Sequence, residues 1–430
     1  MPEQFSLFPA SLLSGPDKEG GKEAGKRAGN EATREPGARR APRRRDEPAD
    51  HFALDAEDAV RQVGGLPDGL LGGLLGEAAP AGKPRRGATG SRPRSRFDPT
   101  TLPQPDKIGP RHHLFGTSSW TYPGWHGLVY RDVEAYGAPQ RFTELSLSEY
   151  SRDPRFRCAG ADNMYYVAPS FRRKLLGRYA AQLRTLREPV VLCPKVWHAV
   201  TVNRYTAFQR EQFRLPSEVN SHFLDPQVFL GDVVQPLASE LGAYLGPLLL
   251  ELQENDLHEA ELCRLLDQFL GVVRADFGGP LAVELRTPAH LTPRYLDVLW
   301  AHGVAHVLNS WTRMPPVGLQ YQRLLEHNPS RGHDAYDWPF FLVRALLRPG
   351  VRYDDASVYE PYDRIVSRAP EVRADILRVL REVPAPRAVY VLVNNHLEGH
   401  SPATIGELQS ELYGEAAVAS AAGSAVRPAG

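Results

Sequence analysis

The chain has 430 residues, a length that fits two or three average domains or one β/α barrel with extensions. Lysine plus arginine equals aspartate plus glutamate at 51 each, so no global charge favours nucleic acid or a membrane surface, and such binding has to be local. No apolar run approaches the roughly 18 residues that a membrane helix needs, and the three cysteines show no CxxC spacing, so we expect a cytoplasmic protein without a membrane partner.

Residues 1–110 are predicted to form a disordered tail. They consist mostly of Gly, Ala, Pro, Arg and Glu, and such a composition cannot offset the entropy of ordering the chain. Two basic clusters lie in this tail, at residues 39–45 (RRAPRRR) and 83–96 (KPRRGATGSRPRSR). A solvated tail is one interpretation, and weak, non-specific nucleic-acid binding is the other.

From about residue 111 onward, short apolar runs alternate with helix-like stretches. The predicted strands are 114–118, 155–162, 190–195, 248–252, 281–286, 304–309, 340–344 and 388–395. Helical patterns between them include 171–187, 257–277, 293–302 and 361–382. This alternation predicts an α/β fold, an eight-stranded parallel β/α (TIM-like) barrel over residues 111–414, with a flexible C-terminal tail at 415–430. A doubly wound open sheet is the alternative, but the glycine-rich turns typical of it are missing from the sequence.

Polar residues are concentrated where the predicted strands end, the place where β/α barrels carry their chemistry. Charged or amide side chains at these ends are Asp162, Lys195, Glu251, Gln253, Glu284, Arg286, Asn309, Arg344 and Asn394. Aromatic residues in the loops that follow include Trp120, Tyr166 and Trp311.

Two interpretations of these charges stay open. Buried charges need partners, so Glu284 with Arg286 or Arg344, and Glu251 with Lys195, are expected as structural pairs. In the functional interpretation, Lys195, Arg286 and Arg344 hold a small anionic, phosphate-bearing ligand, and Asp162 or Glu284 transfers protons. Further substrate-binding candidates in that interpretation are Asn309, Asn394, Tyr166, Trp120 and Trp311.

Neither a metal nor a cofactor is expected. No HExxH motif occurs, and His198, His396 and His400 have no Asp or His partner at a short spacing typical of a metal site. Cys158 and Cys193 lie inside predicted strands without an adjacent base, so a thiol nucleophile is not expected either.

Six segments resemble, in order, the motifs of the YecE-like family, which is known as domain of unknown function seventy-two. They are GTSSWTYPGW (116–125), GADNMYY (160–166), LGPLLLELQ (245–253), VELRTP (283–288), HVLNSWTRMPP (306–316) and VLVNNHLEGHSP (391–402). The resemblance covers about residues 112–413 and implies a TIM-like barrel but no activity. Two positions depart from the family pattern, because many members have Glu where this chain has Gly160 and Gln-x-Pro-Pro where it has ELQE (251–254).

A shorter resemblance lies at the start of the chain. QFSLF (4–8) is similar to the pentapeptide with which bacterial proteins dock on the replicative sliding clamp. In such a peptide Leu7 and Phe8 would anchor in an apolar groove while Gln4 forms a hydrogen bond. An ordinary start of a flexible tail is the alternative.

The sequence therefore supports two hypotheses from different classes. The first is an enzyme acting on an anionic substrate at the strand ends. The second is a DNA-associated accessory protein whose tail docks the sliding clamp or binds nucleic acid. A sugar-isomerase-like activity rests on fold analogy alone.

Overall fold

The computed structural model describes residues 102–351, 359–416 and 418. Its strands are β1 (His113–Thr117), β2 (Cys158–Ala161), β3 (Val191–Pro194), β4 (Leu248–Leu252), β5 (Leu281–Leu285), β6 (Ala305–Asn309), β7 (Phe341–Ala345) and β8 (Val389–Val393). The predicted docking peptide, with Gln4, Leu7 and Phe8, lies outside the described residues.

Helices fill the connections between the strands. The α-helices are α1 (Pro139–Leu145), α2 (Leu147–Arg152), α3 (Arg173–Leu183), α4 (His198–Thr201), α5 (Ala207–Phe213), α6 (Pro226–Val228), α7 (Gln235–Leu241), α8 (Glu259–Asp276), α9 (Pro293–Ala301), α10 (Val317–His327), α11 (Pro370–Glu382), α12 (Asn395–Glu398) and α13 (Ser401–Tyr413). A π-helical turn spans Phe229–Val234, and 3₁₀ turns span Pro123–Trp125, Glu134–Tyr136, Asp162–Met164, Pro169–Arg172, Gly242–Tyr244, Pro288–His290 and Pro329–Arg331.

The strands form parallel sheets, as the alternating pattern predicts. Six of them make one sheet in the order β1-β8-β7-β6-β5-β4, and β2 pairs with β3 in a second sheet. All these pairings are parallel, so the strands of each sheet end at the same edge, which we call the carboxyl edge. The chain is thus an α/β protein with a mostly parallel sheet surrounded by helices.

Main-chain hydrogen bonds also join the two sheets. The Arg157 amide donates to the Phe115 carbonyl over 2.8 Å, beside β1 and β2, and the Val196 amide donates to the Leu249 carbonyl over 2.9 Å, beside β3 and β4. Glycine allows the first approach, because a Cβ added at Gly160 would lie 2.3 Å from the Ser118 carbonyl oxygen.

Both faces of the strands are buried. A large cluster lies on the face packed against the helices and includes Leu250, Val283 and Val343. The opposite face carries a small cluster of Cys158, Cys193, Leu249, Ala282, Ala305, Val307, Phe340, Leu342 and Leu392. Because side chains alternate along a strand, residues two positions further on extend this small cluster towards the carboxyl edge. Lys195, Glu251, Glu284 and Arg344 occupy such positions.

One predicted helix begins later than expected. The pattern predicts a helix from residue 361, whereas α11 begins at Pro370, a residue suited to the first helical position. Tyr362 has φ of 62°, in the left-handed region that an α-helix excludes. Residues 361–369 are therefore a loop, and the amides of Val366 and Ser367 donate to the Glu398 carbonyl of α12.

A strap of residues 102–110 is bound across the amino end of β2. The Lys107 ammonium donates to the carbonyls of Ser151 and Asp153 over 2.5 and 2.9 Å. The Ile108 amide donates to the Pro154 carbonyl, and Arg157 donates to the Gly109 carbonyl. These contacts attach the strap to the folded part of the chain. Within the described residues, no helix has the length and apolar character needed to cross a bilayer.

Candidate functional site

Six charged residues meet at the carboxyl edge, and we call them the charge network: Asp162, Lys195, Glu251, Glu284, Arg286 and Arg344. They come from different elements, because Glu251, Glu284 and Arg344 lie in β4, β5 and β7 while the others follow directly after strands. The side chain of Asp162 is 24% exposed, whereas those of the other five are between 0 and 9% exposed. The network is therefore buried, with one member reaching towards solvent.

Glu251 is at the centre of the network. Its Oε1 lies 2.9 Å from Lys195 Nζ, and its Oε2 lies 2.7 Å from both Arg286 Nη2 and Arg344 Nη1. Gln253, two residues further along the same face, donates from Nε2 to Oε1 over 2.9 Å. Three cations and one amide thus satisfy a carboxylate that has no contact with water.

Glu284 lies directly beside Glu251, because the β4–β5 register pairs the two residues. Two like charges at paired positions repel each other unless cations lie between them. Arg344 Nη1 is 2.5 Å from Glu284 Oε2, and Arg286 Nη2 is 3.0 Å from Oε1, so each arginine bridges both glutamates. Arg344 also reaches Asp162, whose Oδ2 is 3.3 Å from Nη2.

The electrostatics of the network keep its central groups ionised. Burial alone would raise the pKa of Glu251, but the charges of Arg286, Lys195 and Arg344 outweigh this effect and hold its pKa well below the ordinary value. Burial would lower the pKa of Arg344, and the neighbouring carboxylates of Glu284, Asp162 and Glu251 instead raise it well above the ordinary value.

Two aromatic rings support the cations from the side. Lys195 Nζ lies 4.2 Å from the ring centre of Tyr165, whose hydroxyl accepts a hydrogen bond from Gln253 over 3.1 Å. The Arg286 guanidinium lies 3.9 Å from the ring centre of Trp311. These distances are typical of cation–π contacts, which fix the cations in place. Tyr166 packs edge-on against Tyr165 with the ring centres 5.2 Å apart, and it stays partly exposed.

The remaining predicted binding residues lie close to backbone or core. Asn309 is fully buried, donates to the Leu285 carbonyl and accepts from the Trp311 amide, both over 3.1 Å. Asn394 caps α12 by accepting from an amide of that helix. Trp120 is 1% exposed and packs edge-on against Tyr179 in the core. The structure thus brings together the six charges with Tyr166 and Trp311, and places Trp120 away from exposed surface.

His198, His396, Cys158 and Cys193 are buried. Burial lowers the pKa of His198 to about 3 and that of His396 to about 4. Burial raises the pKa of the Cys158 thiol well above its ordinary value. Within the described residues, no group of three or more His, Cys, Asp or Glu side chains has the geometry to hold a metal ion.

Three residues at the site were not in the predicted catalytic and substrate-binding set: Glu251, which was predicted as a structural partner of Lys195, Gln253 and Tyr165. The sequence did contain a signal for the first two, because a Glu and a Gln two apart in an otherwise apolar strand share one face. Tyr165 follows the same predicted strand end as Tyr166, but its contact with Lys195 depends on how the loop after β2 folds.

Comparison with known proteins gives one family and several structures. The family model described as "Protein of unknown function DUF72" matches residues 114–427. A DUF72 family protein from Thermotoga maritima MSB8 is 20% identical with a TM-score of 0.44, covering 70% of this chain and 98% of its own. Another, from Enterococcus faecalis V583, is 14% identical with a TM-score of 0.46, covering 70% and 95%.

A homocysteine methyltransferase from Escherichia coli, in its metallated form, is 13% identical with a TM-score of 0.29, covering 71% of this chain and 96% of its own. No curated protein matches the sequence.

Proposed function

The chain belongs to the protein family of unknown function DUF72, and on this premise we propose that it is an enzyme that binds an anionic, phosphate-bearing substrate at the charge network. The observation that carries the proposal is the convergence of Lys195, Arg286 and Arg344 on one buried carboxylate, Glu251, next to the partly exposed Asp162. Structural ion pairs alone do not require three cations from three strands to meet at the carboxyl edge, where parallel α/β folds bind their ligands.

The proposed architecture is a closed eight-stranded β/α barrel with the charge network at its carboxyl mouth. Two observations support closure. Main-chain hydrogen bonds connect the two sheets beside β1 and β2 and again beside β3 and β4. The small cluster also combines Cys158 and Cys193 of one sheet with Leu249 and Leu342 of the other, as the interior of a barrel does.

Substrate would enter at Asp162. Its contact with Arg344 is 3.3 Å, the longest in the network, and its side chain is the most exposed. An anionic oxygen of the substrate takes the place of Asp162 beside Arg344 and lies within reach of Lys195, since guanidinium and ammonium groups are the usual protein ligands of phosphate.

Asp162 is then the candidate for proton transfer, because a carboxylate released from Arg344 next to bound substrate is placed to act as a general base or acid. Glu284 is fully buried between Arg286 and Arg344. We assign Glu284 the role of holding these arginines in position.

Titration calorimetry with inorganic phosphate and glycerol 3-phosphate tests the proposal. Lys195→Met should weaken binding by at least about tenfold, because a charge-assisted hydrogen bond contributes about 1.5–3 kcal/mol. Lys174→Met is the matched control, since Lys174 is exposed on α3, and it should bind like the unmodified chain. Failure of the unmodified chain to bind either compound at millimolar concentration, or equal affinities of both variants, contradicts the proposal.

A second proposed function is docking on the bacterial sliding clamp, with nucleic-acid binding by the basic tail. It is supported by the pentapeptide QFSLF at residues 4–8. A pull-down with purified clamp should capture the full chain and lose it when Leu7 and Phe8 are both replaced by Ala. Equal capture of the two chains, or none in an assay where a known clamp ligand succeeds, contradicts this function.

A further inference from the structure

We propose that the substrate is a zwitterion, with an ammonium group that binds Asp162 beside the anionic group that binds the cations. This inference rests on the proposed function and adds the chemical class of the substrate. Its basis is the charge balance of the network together with the contacts of Asp162.

The charge network is neutral without a ligand. It contains the cations Lys195, Arg286 and Arg344 and three carboxylates, those of Asp162, Glu251 and Glu284, so the formal charges cancel. A phosphate group would add up to two negative charges to a place where five of the six side chains are at most 9% exposed. An excess charge in such surroundings is strongly unfavourable unless another charge compensates it.

Asp162 is where the compensating charge fits. When the anionic group of the substrate displaces Asp162 from Arg344, the Asp162 carboxylate loses the one ion pair that it forms among the described residues. Its other oxygen, Oδ1, is buried and has no hydrogen-bond partner in the described part of the chain. A buried acceptor without a partner is unfavourable, and an ammonium group offers three donors as well as the missing positive charge.

A substrate with both groups therefore gives Asp162 a cationic partner and offsets one of the negative charges that the phosphate brings. The anionic end binds Lys195 and Arg344, the cationic end binds Asp162, and the net charge of the network falls by at most one instead of two. A substrate with only the anionic end would instead have to bind together with a proton or another cation. The two kinds of substrate should therefore differ in affinity and in the number of protons taken up on binding.

The experiment compares three phosphate monoesters of the same size: O-phosphoethanolamine, 2-hydroxyethyl phosphate and propyl phosphate. They differ only in the terminal group, which is ammonium, hydroxyl or methyl. Calorimetry on the full chain should show that O-phosphoethanolamine binds at least about tenfold more tightly than propyl phosphate. This ratio of affinities corresponds to the free energy of one charge-assisted hydrogen bond. The hydroxyl compound should resemble propyl phosphate within about threefold.

Asp162→Asn should reduce the preference for the ammonium compound to less than about twofold, while Asp256→Asn, an exposed neighbour of the same edge, should leave it unchanged. A second measurement does not depend on a variant. Titrations in buffers of different ionisation enthalpy should show less proton uptake with O-phosphoethanolamine than with propyl phosphate.

Equal affinity of the ammonium and hydroxyl compounds, a preference that survives Asp162→Asn, or equal proton uptake with O-phosphoethanolamine and propyl phosphate would each overturn the inference. In those cases binding of inorganic phosphate would still support the proposed function. If neither inorganic phosphate nor any of the three esters binds, the proposed function fails, and the inference fails with it.

Discussion

Replacing Glu251 by Gln should be among the most damaging single changes in this protein. Glu251 is fully buried and lies within 2.9 Å of Lys195 and 2.7 Å of both Arg286 and Arg344. Glutamine keeps the size and shape of the side chain but removes its charge. Three buried cations then remain with only two carboxylates, those of Glu284 and Asp162, and Asp162 Oδ2 lies 3.3 Å from the nearest arginine nitrogen, Arg344 Nη2.

The expected loss of stability is about 3–5 kcal/mol, the range measured when one partner of a buried ion pair is removed. For a folded part of about 300 residues, this corresponds to a fall in melting temperature of about 5–10 °C. Calorimetry or circular dichroism at neutral pH measures it. The difference from the unmodified chain should narrow on acidification below about pH 4, because a carboxylate with a lowered pKa stabilises the fold above its unfolded-state pKa and loses this effect as it is protonated.

Glu261→Gln is the matched control. Glu261 pairs with Arg264 on the exposed face of α8, where water screens the charges, so the melting temperature should stay within error of the unmodified chain. If Glu251→Gln also melts within 1 °C of the unmodified chain, then Glu251 does not act as a buried anion. The six side chains would then not form a charge-balanced network.

Three further changes test other parts of the fold. Gly160→Ala should lower the free energy of unfolding by at least about 2 kcal/mol, because the added Cβ would lie 2.3 Å from the Ser118 carbonyl oxygen. Gly231→Ala is the control, since a Cβ there meets no atom within 4 Å, and its free energy of unfolding should be unchanged. Chemical denaturation measures both. Between pH 6.5 and 4 the free energy of unfolding should fall by about 2–3 kcal/mol because of His396, since this imidazole takes up its proton at a higher pH in the unfolded chain than in the folded one, where its pKa is about 4. His396→Gln should remove this part of the pH dependence. A chain that begins at residue 111 should melt at a lower temperature than one that begins at residue 102, because it lacks the Lys107 contacts.

Each of these has a contrary outcome. Equal stability of the two alanine variants would mean that β1 and β2 can separate at no cost. An unchanged pH profile for His396→Gln would mean that the imidazole is not held neutral by burial. Identical melting of the two shortened chains would show that the strap is dispensable, and the folded domain would then begin at residue 111.

The strands of the six-stranded sheet were predictable to within two residues at each end. β4 lies at the predicted residues 248–252, and β5 differs from its prediction by one residue. The reason is physical: parallel strands buried on both faces appear in a sequence as short, continuous apolar runs. α11 was less accurate, because the left-handed backbone of Tyr362 is set by tertiary contacts and not by the pattern of apolar residues.

The charges at the site were predictable in pairs but not as a network. The need to neutralise buried charge predicted Glu284 with Arg286 or Arg344 and Glu251 with Lys195, and these contacts are present. The sequence did not indicate that both arginines bridge both glutamates. That arrangement depends on the β4–β5 register, which places the glutamates side by side, and on the distance from β7, neither of which local pattern encodes.

The strap formed by residues 102–110 lies at one end of the parallel strands only. It is bound at the amino end of β2, whereas the charge network lies at the opposite, carboxyl edge. Leu102, with which the described part of the chain begins, therefore lies at the end of the strands opposite the charge network. A macromolecule that bound the strap would therefore not cover the charge network, and its binding would not compete with the proposed binding of a small anion there.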